Sequence, residues 1–527
     1  MTERSEWDYI VVGAGSAGAV VAARLSEDPG TSVLLIEAGG SHRHPNVMIP
    51  AAFAKQFGTS RDWGYRTEPE PYLDDRRLIQ PRARSLGGCS TMNAMIYIRG
   101  HRSDYDGWAR EGAEGWSYDE LLPLFKRSER NSRGASQYHG GSGELYVEDP
   151  RDPNPVSQQL VEAAVDMGHP PNGDFNGAEQ VGAGLFQTTL KRGARWTTAD
   201  GFIGPARRRP NLDVRAKTLV TRLVLDGGRA VGVEVRGTHG APEVLRAGRE
   251  VVVSAGAFGT PHLLMLSGIG PADHLREHGI ETLVDSPHVG AHLQDHPLYV
   301  VNYETTATGT LAEAEKPVQL VRFLATRRGL LTSNVAEFGV FLHTRDGEEA
   351  PDIQFMGGPA YFWQHGQATY EKPAWAIGLS LVGPRSEGTV RLRSADPTVL
   401  PAVRFNYFQD PADMASIVAA IEQARELAAT VRMKPITGPE IHPGASATSR
   451  ADLEAHVRRD AEHTYHPSCT ARIGSESSGV VGPDLRVHGV AGLRVADASV
   501  FPRITHGNTH APSVVVGEKA ADLIKAG

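Results

Sequence analysis

Residues 8–37 carry the feature that most constrains what this chain can fold into. Asp8-Tyr9-Ile10-Val11-Val12 is a nearly continuous apolar run, the pattern of a parallel strand buried on both faces. Gly13-x-Gly15-x-x-Gly18 follows at once and opens a small-residue helix from Ser16 to Leu25. A second strand, Ser32 to Ile36, ends on Glu37-Ala38. A strand, a glycine turn, a helix and an acid about 20 residues on make a dinucleotide-binding βαβ unit. Gly13 permits the tight turn, Gly15 lets the backbone of Ser16 and Ala17 approach a pyrophosphate, and Gly18 lets helix and strand pack closely. The helix N-terminus offers free N–H groups to the phosphates, and Glu37 can bond a ribose hydroxyl. The alternative is a glycine-rich turn in an unrelated α/β protein, against which the four features agree. The unit opens at Asp8, and such N-terminal placement is commoner for FAD than for NAD.

The 527 residues suffice for two or more domains with sizeable cores. Lys and Arg total 54 against 62 Asp and Glu, a formal charge of −8. No basic stripe marks a nucleic-acid partner, and no apolar run approaches the about 20 residues of a membrane span. The start, MTERSEWDYI, lacks the pattern of a signal peptide, so a cytoplasmic protein is expected, as a monomer or homodimer. Two cysteines, Cys89 and Cys469, imply no disulfide framework.

Further along, residues 157–168 alternate as an amphipathic helix. Residues 212–235 read as strand, turn and strand about Gly227-Gly228, and Glu250 to Ser254 gives another buried strand. Residues 298–400 are strand-rich, residues 411–431 have helical spacing, Leu493 to Ala496 is a last strand, and a last helix runs from about Ser513 to Lys525. Nucleotide-type strands thus stand at the start, middle and end. The expected fold is α/β: a discontinuous Rossmann-like FAD-binding domain (1–155, 200–297 and 460–527) with an inserted α+β substrate domain on an antiparallel sheet (156–199 and 298–459).

Five further blocks carry a family resemblance: Ala83–Asn93 (ARSLGGCSTMN), Gly256–Gly270 (GAFGTPHLLMLSGIG), Val289–Pro297 (VGAHLQDHP), Thr464–Gly474 (TYHPSCTARIG) and Leu493–Ile524. In this order, over essentially the full length, they resemble the glucose–methanol–choline (GMC) flavoprotein oxidoreductases, nearest to choline dehydrogenases, choline oxidases and related bacterial alcohol dehydrogenases. The resemblance implies bound FAD and oxidation of a small-molecule alcohol, with O2 or another electron acceptor. Leu86-Gly87-Gly88 is a sharp loop able to press backbone against the cofactor, or a plain tight turn. The resemblance places Asn93 and Ala94 near the flavin and Val220 at the adenine, where a buried strand valine is the default reading. Ala255 and Gly256 would pass the adenine or ribose side. Asp497 and Ala498 end the last strand, where the aspartate resembles one near the ribityl–pyrophosphate region; a turn or N-cap aspartate is the alternative. Met92 stands where choline oxidases carry the histidine that links FAD, so a non-covalent flavin is expected.

The chemistry is expected of two of the 21 histidines. His466, in Tyr465-His466-Pro467, and His510, in Thr509-His510-Ala511-Pro512, match the family's active-site pair. The resemblance makes His466 the general base that takes the alcohol proton while hydride leaves for flavin N5, with His510 holding the oxygen. An imidazole titrates near working pH and suits that task. The helix after Pro512 would point its positive end at the flavin pyrimidine. No second ligand pair accompanies His466 and Cys469, so no metal site is expected. Glu337, Tyr361, Trp363 and Tyr465 are the candidate substrate contacts. An acid with aromatics could cage the trimethylammonium of choline, giving betaine aldehyde; the same residues could line a pocket for another primary alcohol, or simply pack. A hydroxynitrile lyase or fatty-acid photodecarboxylase is the non-redox or photochemical alternative.

Overall fold

The computed structural model describes residues 5–237 and 241–527 and builds them around two seven-stranded sheets. In the first sheet, Glu6–Val12 is central, with Val33–Ile36 and Glu243–Val253 parallel on either side. Leu212–Arg215 extends the parallel array beyond Val33–Ile36. Ile10, Val11, Leu34, Leu35 and Val251 to Val253 are fully buried, because helices cover the sheet and water reaches neither side. The expected strand at 250–254 is the end of the eleven-residue strand Glu243–Val253. Its first part pairs antiparallel with Arg229–Gly237, and its last three residues pair parallel with Leu493–Val495. The hairpin partner Thr218–Asp226 closes the edge, with Gly227 and Gly228 both at positive φ in the turn.

The second sheet is antiparallel. Thr437–His442, Pro297–Thr305, Ala374–Leu381, Ile353–Gly358, Phe338–Leu342 and Gly182–Leu185 follow one another across it. The short strand Glu462–His463 pairs with the start of Pro297–Thr305. Helix Pro411–Ala429 lies on this sheet and buries Ile417, Ile421 and Leu427 in one cluster with Trp375, Ile377 and Leu379. Its start is encoded locally: Pro411 occupies the first turn, and the Asp410 carboxylate accepts the Ala412 N–H at 2.8 Å. Helix Pro155–Asp166, capped in the same way by Asn154, packs into the same core.

The chain ends meet on the first sheet. Helix His510–Ala526 packs against helix Gly18–Leu25. The contact is close: a Cβ on Gly517 would stand 2.6 Å from the Ala17 carbonyl oxygen, and one on Gly18 2.0 Å from that of Gly13. The last helix begins at His510, earlier than its sequence suggests, because a proline in the first turn interrupts no helical hydrogen bond. Glu518, with no exposed surface, accepts from Arg24 at 2.8 and 2.9 Å, Arg127 at 2.7 Å and Ser128 at 2.6 Å. Removing the carboxylate strands a largely buried guanidinium. Glu518→Ala is expected to lower unfolding stability by about 3 kcal/mol, read by denaturant titration; a loss within experimental error would show that Glu144 and Glu27 satisfy Arg24 without it.

Candidate active site

A cavity of about 650 Å³ runs from the carboxyl ends of the parallel strands to the antiparallel sheet. At the first end it is lined by Gly13, Gly15, Ser16, Ala17, Glu37, Ala38, Val220, Ala255 and Gly256. This end is made by backbone meeting backbone. Gly13 has φ +99°, and a Cβ there would lie 2.4 Å from the Ser254 carbonyl oxygen. Gly88 has φ +50°, and its Cβ would lie 2.6 Å from the Gly15 Cα. The Gly87 N–H donates to the Ala14 carbonyl at 2.8 Å, fastening the Leu86–Gly88 loop to the glycine turn. Glu37 accepts from the Ala14 and Gly39 N–H groups at 3.1 and 2.7 Å, and burial pushes its carboxyl up to about 7. Its first task is therefore to shape the strand end. Asp497 likewise accepts from Gly256 N–H at 2.8 Å, Thr260 Oγ1 at 2.6 Å and Ser499 N–H at 2.8 Å while lining the cavity with Ala498. It is both the turn cap and a wall residue.

The other end holds His466, His510 and Asn508, with Asn93 and Ala94 also on the wall. His466 follows Tyr465, a non-glycine residue at φ +64°, a strained conformation typical of functional loops. The buried Asp295 carboxylate holds that loop by accepting the His466 backbone N–H at 2.7 Å. The ring's partners set its tautomer. The Thr464 hydroxyl donates to the His296 carbonyl at 3.2 Å, so its oxygen is free to accept from His466 Nδ1 at 2.9 Å. The Asn508 Oδ1 accepts from Gln354 at 3.0 Å, so its NH2 faces His466 Nε2 at 3.3 Å. With the proton on Nδ1, shared between Thr464 Oγ1 and His296 Nδ1 at 3.0 Å, these contacts are all met and the lone pair on Nε2 faces the Asn508 NH2. Burial, with Arg82 and His463 near, lowers His466 to about 3, so it is neutral. His510 is bonded through Nδ1 to Ser16 Oγ at 3.0 Å, while its buried Nε2 has no partner. Burial and Arg195 lower it to about 4.

Two family models, both described as GMC oxidoreductase, match residues 7–298 and 384–517. The chain belongs to the GMC oxidoreductases. It is 40% identical to an oxygen-dependent choline dehydrogenase of Sinorhizobium medicae over 98% of this chain and 95% of that one. Its structure matches a formate oxidase of Aspergillus oryzae with a TM-score of 0.94 at 28% identity, covering 100% and 99% of the two chains. It matches pyridoxine 4-oxidase of Mesorbium loti with a TM-score of 0.91 at 30% identity, covering 99% of each. The protein is an FAD-dependent alcohol oxidoreductase of mixed α/β fold.

The GMC site corrects several expectations. Leu86 turns its side chain into the core of the first sheet, and Gly87 serves the loop's hydrogen bonds; neither lines the cavity. Gly18 packs helix against strand, as its place in the turn predicts, whereas Pro512 is buried inside the last helix, with Ser513 on the wall instead. Glu337 lies outside the cavity: it is 2% exposed and accepts the Asn154 N–H at 2.8 Å, so it anchors the start of a helix. Tyr361 and Trp363 are also outside. Trp363 stacks flat on His442 with centroids 3.7 Å apart, and Tyr361 stacks on Tyr370 and bonds His442 at 3.0 Å. The next side chain between them, Phe362, faces the cavity with Tyr465 and Met92. Sequence reasoning missed Asn508, two residues before His510, and Arg82, just before the Ala83–Asn93 block. It also missed Arg195, a 4% exposed guanidinium that donates to Asn93 Oδ1 at 2.7 Å. The adjacency of Asn508 and Arg82 to recognised blocks was the available signal; Arg195 had none.

These residues fit FAD. The cradle leaves no room for a side chain at Gly13 or Gly88, a Cβ on Gly15 would enter open space, and the unpartnered Nε2 of His510 belongs to a residue on the cavity wall. Gly88→Ala combines a left-handed φ with a 2.6 Å clash against Gly15. A left-handed residue costs about 1–2 kcal/mol, so FAD affinity should fall at least about tenfold. Flavin released on dilution measures this, and full retention would show that the loop can move aside.

Proposed function

We propose that the protein oxidises an uncharged primary alcohol to its aldehyde, using FAD held without a covalent link. The observation that carries the substrate class is the charge of the wall near His466. His296 contacts His466, and on the strand Pro297–Thr305 that begins just after it Leu298 and Val300 line the cavity, with Met356, Phe362 and Phe57. The carboxylates on the wall are Glu37 and Asp497, both committed to backbone at the ends of the parallel strands. The charged side chain whose field reaches His466 is Arg82. The buried Asp295 carboxylate beside His466 is spent on the His466 and His296 backbone N–H groups, Tyr407 and His463 and does not line the cavity. A trimethylammonium would therefore meet aromatic faces but no free counter-charge among the described residues, and a buried cation without one is costly. Identity to choline dehydrogenases keeps choline as the second reading.

FAD, when bound, supplies the acceptor for the hydride leaving the carbinol carbon. The neutral His466 accepts the hydroxyl proton on Nε2, whose lone pair is left free by the Nδ1–H bond to Thr464. Asn508 steadies that ring edge. With Ser16 donating to His510 Nδ1, His510 Nε2 carries a proton and can hold the substrate oxygen in line. Met92 supports the non-covalent link, since a thioether offers no ring nitrogen for the family's histidyl bond.

The deciding experiment mixes the flavoprotein, without oxygen, with choline, benzyl alcohol and a long-chain primary alcohol. Bleaching by an uncharged alcohol and not by choline is expected. The reverse overturns the substrate reading, and a flavin no alcohol bleaches points to the non-redox readings. Readmitting air then separates oxidase from dehydrogenase.

His466→Ala should retain FAD and slow flavin reduction by about 10²–10⁴-fold, the usual worth of a general base. In the parent, a base is lost as pH falls through its pKa. Since His466 lies near 3 rather than 6.5, the reduction rate should stay level as pH passes 6.5. An acid limb centred there would show that the bound state restores an ordinary imidazole.

A further inference from the structure

Among the described residues, nine large apolar side chains are exposed, and four of them sit on one ten-residue helix, Pro317–Thr326. Val318, Leu320, Val321 and Leu324 are 63, 44, 65 and 57% exposed, while Phe323 alone on this helix is buried. At about 100° per residue the four cover an arc of roughly 160° turned away from Phe323. A helix of a globular protein normally buries its apolar stripe. A cluster presented outward marks a surface that something covers.

The charge around the helix says what covers it. From Lys316 to Arg328 the chain carries Lys316, Arg322, Arg327 and Arg328 and no carboxylate, in a protein of net charge −8. Asp152 is shared by Arg328 at 2.6 Å and Arg322 at 3.7 Å, Lys316 reaches Glu313, and Arg327 lies over Phe323. An outward apolar arc edged by cations is the pattern of a helix lying in the interface of an anionic membrane. A second copy of this chain fits less well, because a two-fold contact would set the same cations against each other.

We propose that the Pro317–Thr326 helix docks this protein on an anionic membrane surface. The helix is fixed to the rim of the cavity. Glu315, just before it, pairs with Lys55 at 2.6 Å. Lys55 belongs to the 3₁₀ turn Pro50–Gln56, whose Phe53 lines the cavity. Leu330–Thr332, just after it, packs on the same turn. Docking therefore brings the rim to the layer in which apolar alcohols concentrate. That consequence rests on the uncharged-alcohol reading; the docking itself does not.

Cosedimentation of the holoenzyme with phosphatidylcholine vesicles, with and without phosphatidylglycerol, tests this. The parent should sediment with the anionic vesicles only, and less in high salt. V321S/L324S should bind at least about tenfold more weakly and R322Q about fivefold more weakly, with flavin spectrum, thermal unfolding and turnover of a water-soluble alcohol unchanged. A parent that stays in the supernatant with both vesicles overturns the proposal. So do variants that sediment like the parent, or light scattering that finds a parent dimer which V321S/L324S makes monomeric.

Discussion

The site depends first on how closely backbone approaches backbone at the carboxyl ends of the parallel strands. Gly13 lies against Ser254, Gly18 against Gly13, and Gly88 against Gly15, each at a distance that excludes a side chain. These contacts join three stretches far apart in sequence and leave a slot bounded by N–H groups and small residues. Two buried acids lock the slot: Glu37 holds the turn after the second strand, and Asp497 ties the last strand to Gly256 and Thr260. Their carboxylates are spent on backbone, which is why this end is rigid rather than strongly anionic. A cofactor carrying two phosphates meets preformed donors there at small ordering cost.

The opposite end is governed by desolvation. His466 and His510 are buried enough to remain neutral, and their hydrogen bonds determine which nitrogen is free. Thr464 passes the constraint: its hydroxyl is committed to the His296 carbonyl, so it accepts from His466 Nδ1 and leaves the Nε2 lone pair to the long 3.3 Å contact with the Asn508 NH2. On the proposed reading, such a base takes a proton only when a substrate delivers it in the right place. The strained backbone at Tyr465 and the Asp295 anchor keep the ring there at some conformational cost.

Much of this was legible in the sequence where local chemistry is sufficient. The first βαβ unit, the helix after Asp410, the Gly227-Gly228 hairpin and the two histidine motifs are each fixed by neighbours a few residues away. Apart from Tyr465, the candidate substrate residues were not legible. Tyr361, Phe362 and Trp363 are consecutive aromatics, and only the partners Tyr370 and His442, brought by other segments, decide that Phe362 faces the cavity. Glu337 read equally well as a pocket acid or a structural one; the unpaired Asn154 N–H of a helix from residue 155 onward claimed it. The start of the last helix was misplaced because Pro512 reads as a boundary, although a first-turn proline is tolerated.

The sequence by itself determined the family and the dinucleotide-binding start and singled out His466 and His510, which the fold brings to one cavity wall, since these rest on glycine spacing, apolar periodicity and contiguous motifs. Only the tertiary structure decided which nitrogen of His466 faces Asn508, which aromatics wall the cavity, that among the described residues no uncommitted carboxylate stands beside the histidines, and that one apolar helix face looks outward. Those properties belong to pairs of residues separated by tens to hundreds of positions, and burial, hydrogen-bond direction and charge compensation exist only once the pairs have met.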